Sequence, residues 1–113
     1  MDKLNHYRQL IRQILNEYSQ MKPSATNGEI EVYTFCDLEG DHYQIFHAGW
    51  DGFQRIFGAL IHMDIIGEKI WVQYDGTEIG VANDLVSLGV PKEDIVLAYH
   101  SPYMRQFDGF AVG

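Results

Sequence analysis

A chain of 113 residues can bury one sizeable core but not two, so a single domain spanning 1–113 is expected. A composition 46% hydrophobic and 13% aromatic excludes a disordered chain, and no run approaches the roughly 20 apolar residues of a membrane helix. Sixteen acids against eight bases give a net charge of -8, and bases scattered along the chain are a poor means of gripping phosphates unaided.

The only cysteine, Cys36, permits neither an internal disulfide nor a multi-cysteine zinc site and reads as a small core residue. The first residues, Met1 to His6, carry no basic-then-apolar signal pattern, so a cytoplasmic protein without membrane contact is expected. Leu4, Tyr7, Ile11, Ile14, Leu15 and Tyr18 recur at helical spacing and predict an amphipathic helix over 3–20, with Asp2 as its N-cap. Pro23 lies beyond its end, and residues 22–28 read as a loop.

Four strands follow: 29–37, closed by a turn over 38–41, then 42–50, 53–66 and 69–74. Asp51-Gly52 and Gly67-Glu68 are two-residue hairpin turns, which require antiparallel neighbours and so predict a four-stranded meander. They also set a register in which Phe46 faces Phe57, His47 faces Ile56, Ile61 faces Tyr74 and His62 faces Gln73. One sheet face then holds Phe46, Phe57, Ala59, Ile61, Met63, Ile65, Ile70, Val72 and Tyr74. The other holds Ile30, Val32, Tyr43, Ile45, Ile56 and Leu60, with His47, His62, Asp64 and Trp71. Both faces are apolar enough to need cover, which two helices can give to only one.

Asp75-Gly-Thr-Glu78 has the form of a capping box and opens a second helix over 77–88, its inner side built from Ile79, Ala82, Leu85 and Val86. Gly89 and Pro91 stop it, and residues 95–99 form a fifth strand before an aromatic tail. The fold class is therefore α+β, in the order α-β-β-β-β-α-β, the meander and fifth strand packed with two helices.

Candidate sites are few. Asp37, Glu39 and Asp41 alternate as at the start of a calcium loop, but Gly40 is fourth and Ala48 twelfth, where such a loop wants Gly sixth and Glu twelfth; a polar hairpin tip is favoured. His62, Asp64 and Gln73 form a candidate polar patch, chiefly structural, with a general-base role as the alternative. His47 falls six residues along the third strand from His62, roughly 20 Å, so the two cannot share a metal. Asp75, Thr77 and Glu78 are read as a helix-cap turn rather than an anion site, because two acids stand where an anion would bind. An acid followed by acid-x-Lys, the nuclease pattern, is not formed, since Glu68 and Lys69 are adjacent. No catalytic, cofactor or metal residue is assigned.

Several blocks in order resemble a known family: Asp41-His-Tyr-Gln-Ile-Phe-His47, Gly49-Trp50, the Arg55 strand ending His62-Met-Asp-Ile65, Lys69-Ile-Trp-Val-Gln73, Asp75-Gly-Thr-Glu-Ile-Gly80, Gly89-Val-Pro-Lys-Glu-Asp-Ile-Val-Leu97 and Phe110-Ala-Val112. Together they are similar to the XisI family, fdxN element excision controlling factors found mainly in cyanobacteria. The resemblance implies control of DNA-element excision during heterocyst development, where a separate recombinase cuts the DNA and an XisH-like companion acts alongside. It supplies no catalytic residues. A non-enzymatic controller that binds a protein partner is the expectation, with no cofactor and no direct DNA binding. The alternatives are an acidic antagonist of a partner's DNA-binding groove and a small-ligand-binding or hydrolytic domain using His62 and Asp64. Two apolar sheet faces and an aromatic tail also predict a homodimer.

Overall fold

The computed structural model describes residues 2–21 and 29–113, so the loop expected at 22–28 lies outside the described residues. Helix α1 (Lys3–Ser19) leads into strands β1 (Ile30–Asp37), β2 (His42–Asp51), β3 (Gln54–Ile66) and β4 (Lys69–Asp75). Helix α2 (Val81–Ser87), a 3-10 turn at Lys92–Asp94, strand β5 (Ile95–Leu97) and a short helix α3 (Pro102–Arg105) complete it. The strands form one sheet in the order β1-β2-β3-β4-β5, antiparallel through the first four and parallel between β4 and β5. This is the expected α+β fold.

α1 forms as its periodicity requires. Asp2 caps it by accepting from the Asn5 N–H at 2.8 Å, and Tyr7, Leu10, Ile11, Ile14 and Leu15 are buried. They pack with Val81, Ala82 and Leu85 of α2 over one sheet face, against Tyr43, Ile45, Ile61, Met63, Ile65, Ile70 and Val72. Tyr18 of α1 donates to Asp84 of α2 at 3.0 Å, and Lys3 and Tyr7 both reach Asp94 just before β5. The helices thus share one layer tied to the far edge of the sheet.

That inner face mixes residues that simple alternation assigns to opposite faces, and two β-bulges explain why. Between β2 and β3 the pairs run Phe46↔Ala59 and then Ile45↔Ile61, leaving Leu60 as an extra residue. Between β3 and β4 they run Met63↔Val72 and then His62↔Tyr74, leaving Gln73 extra. An extra residue reverses the side on which everything beyond it projects. Phe46, Phe57 and Tyr74 therefore sit on the opposite face from Ile61 and Val72. Tyr74, expected on one face with Ile61 and Val72, is 51% exposed while both of those are buried.

Turn chemistry corrects the register further. The β2–β3 hairpin turns on Gly52-Phe53, with Gly52 at φ 61, one residue later than the expected pair. His47 consequently pairs with Gly58 rather than Ile56, and Phe57 with Ala48 rather than Phe46. The second helix begins at Val81 instead of residue 77, which leaves Ile79 exposed outside it. Cys36 is exposed on edge strand β1, not a core residue.

Candidate functional site

The face of the sheet away from α1 and α2 holds two adjoining features, one aromatic and one polar. The C-terminal segment covers only its β4–β5 side, where the Arg105 guanidinium lies 5.3 Å from the Trp71 ring centroid and Ala111 bridges to Val96. Across β1, β2 and β3 the side chains stand open. Phe35 and Phe46 meet edge-on at 6.5 Å, and Phe46 and Phe57 at 4.7 Å. Tyr33 extends the strip on β1, and Arg55 caps its other end between Phe57 (5.2 Å) and Trp50 (5.5 Å). These rings line a shallow apolar hollow of about 320 Å³. Phe57 is 66% exposed although it packs on Phe46 on one side and under Arg55 on the other.

The polar feature lies beyond Gln44, towards the turn at residues 38–41. Cross-strand pairing puts His42 opposite Asp64 and Gln44 opposite His62. Asp64 is 7% exposed, a buried carboxylate that needs donors. A carboxylate can only accept, so both imidazoles donate: His42 through Nδ1 and His62 through Nε2, each 2.8 Å from Asp64 Oδ1. The three donor atoms lie within 4.8 Å of one another, and among the described residues they alone converge in a set able to hold a metal. The hydrogen bond from His42 to Asp64, reinforced by the carboxylate charge, raises the His42 pKa above its ordinary value.

The expected patch of His62, Asp64 and Gln73 is therefore assembled with one substitution. Gln73 is the extra residue of the β3–β4 bulge, and His42 stands in its place. His42 follows from sequence only if the β2–β3 turn is set at Gly52-Phe53 and the Leu60 bulge is recognised; the ambiguous triplet Asp51-Gly52-Phe53 is the signal. His47 projects to the helix-covered side, where burial lowers its pKa. Asp37 and Asp41 do not converge as a calcium loop. Asp37 accepts from the N–H groups of Glu39 and Gly40, while Asp41 accepts two hydrogen bonds from Arg8, at 2.8 and 3.1 Å, and one from Tyr43. The Arg8 contact holds the Asp41 carboxyl below its usual range, and burial with that same carboxylate pushes Tyr43 up to about 12.

The turn at 75–80 is a cap, though not a capping box. Asp75 Oδ1 accepts from the Thr77 N–H and hydroxyl, and Oδ2 reaches forward to the Val81 N–H at 2.8 Å. Thr77 in turn accepts from the Gly80 N–H at 3.1 Å. Glu78 is exposed and outside α2.

The family model for the XisI protein matches residues 1–112. The chain belongs to the XisI family. A XisI-like protein from Anabaena variabilis ATCC 29413 has 39% identity over 97% of this chain and 99% of its own, with a TM-score of 0.89. The fdxN element excision controlling factor XisI from the same organism has 30% identity over 99% of this chain and 100% of its own, with a TM-score of 0.84. No curated protein gives a match. The family match thus spans the five-stranded sheet and all three described helices. No helix among the described residues is long and apolar enough to cross a membrane.

Proposed function

We propose that this chain is a non-catalytic factor controlling excision of a DNA element, acting by docking onto a protein partner, an XisH-like companion, in the cytoplasm. The observation that carries this reading is the open aromatic strip from Tyr33 through Phe35, Phe46 and Phe57 to Arg55 and Trp50. Rings and arginine grouped on a rigid sheet are the usual anchors of protein interfaces. The excess of 16 acids over 8 bases supports a protein partner rather than DNA. Such a surface repels phosphates and steers a basic partner surface towards it.

The test pairs two measurements at physiological salt. The purified chain binds the companion, with affinity falling as salt is added, and by itself retards no DNA fragment. Phe57→Ala weakens companion binding by about tenfold or more, in the range of an interface anchor. Tight DNA binding without the companion, or no association with it at low salt, would defeat the reading.

A further inference from the structure

We propose that His42 Nδ1, His62 Nε2 and Asp64 Oδ1 together bind one divalent transition-metal ion of the zinc class, with one coordination position left open to solvent. The donor set is the first argument. Two neutral imidazoles and one carboxylate suit zinc and its neighbours, and three protein donors with a free fourth position make an open rather than a closed structural site. Distance is the second. Bonds of about 2.0–2.1 Å at tetrahedral angles place donors about 3.3 Å apart. Both histidine nitrogens already stand 2.8 Å from one carboxylate oxygen, and all three atoms lie within 4.8 Å. An ion seated among them opens the nitrogen–oxygen contacts by about half an ångström and brings the two nitrogens, now within 4.8 Å, to a similar spacing. Each neutral imidazole then carries its proton on its other ring nitrogen, Nε2 of His42 and Nδ1 of His62.

The backbone holds this arrangement. Asp64 and His62 are fixed on β3, and His42 is the first residue of β2, directly paired with Asp64. The His42 ring lies against the preceding turn: a Cβ at Gly40 would come within 2.9 Å of its Cδ2 and 3.1 Å of its Nε2. Asp64 is buried, whereas the His42 side chain is 57% exposed, so the histidine makes the small movement and the carboxylate stays. His42 and His62 line a groove of about 510 Å³ together with Phe35, Asp37 and Gln44, which would give the free position a path to solvent. The site does not depend on the docking reading.

Cobalt(II) alone, titrated into the full chain, tests it. One equivalent is taken up with micromolar affinity or better and gives the intense visible absorption of a four- or five-coordinate ion; zinc displaces it. His42→Gln and His62→Gln each weaken uptake at least tenfold. His100→Gln, at a second histidine–aspartate contact (Asp108) with no second imidazole, leaves it unchanged. Asp64→Asn removes a buried group and can unfold the chain, so the exposed His42 carries the decisive comparison, with circular dichroism confirming the fold. No saturable uptake at one equivalent, or uptake unaltered in the His42→Gln/His62→Gln double variant, would overturn the assignment.

Discussion

Ile61 stands just beyond the first bulge with no exposed surface, beside Ile45 on β2 and packed in the core with the helix layer. Truncating it to alanine removes a large part of a packed side chain and leaves a cavity, so Ile61→Ala should cost about 2–5 kcal/mol in a denaturant titration. A loss below about half a kcal/mol would mean the site is not core. Ile61 and Val72 were legible as core because they sit in unbroken apolar alternation. Tyr74 was not, because its position depends on an extra residue that leaves no mark in the hydrophobic pattern. The polar cluster divides in the same way. His62 and Asp64 lie two apart on one strand, so they share a face whatever the register. His42 reaches them from another strand, and only the register brings it there.

At the scale of elements, the bulges let one long strand serve two faces. Leu60, displaced from the ladder, keeps a partner for its carbonyl, which accepts from the Gly76 N–H at 2.7 Å. The bulge is thereby tied to the turn that precedes α2. The extents of β1 to β4 were legible from turn residues and α1 from its period, whereas the fifth strand, expected over 95–99, ends at Leu97. The late start of α2 was not, since Asp75 reaches six residues forward to Val81 instead of capping the nearest turn. Close approach of backbones is equally invisible in sequence. A Cβ at Gly49 would stand 2.1 Å from the Glu29 carbonyl oxygen and 2.7 Å from the Ile30 Cα, whereas one at Gly58 would meet nothing within 4 Å. Gly49→Ala should therefore push the start of β1 away from β2 and destabilise by about 1–3 kcal/mol. Gly58→Ala should stay within about half a kcal/mol of the parent. Equal denaturant midpoints for the two variants would refute the close approach.

At the scale of the molecule, both helices cover one sheet face, and exposed apolar surface collects in two places instead of one. The aromatic strip lies across β1, β2 and β3. The C-terminal segment carries the other patch, where Tyr103 and Phe107 meet at 5.4 Å, both largely exposed. Exposed apolar patches that are not scattered singly mark interaction surfaces, and a two-fold pairing is the simplest way for a small chain to cover one with a copy of itself. On the proposed reading, composition divides the labour between them. The strip, with arginine at its end and histidines beside it, suits a different protein; the tail, with Tyr103, Phe107 and Met104 contiguous in one short segment, suits its own copy. Light scattering at micromolar concentration should give twice the 13.0 kDa chain mass. Tyr103→Ser with Phe107→Ser should return the monomer while companion binding persists, and Phe57→Ala should leave the dimer intact while companion binding weakens. A monomeric parent protein would remove the pairing, and loss of both associations in the tail variant would mean that a single surface serves both.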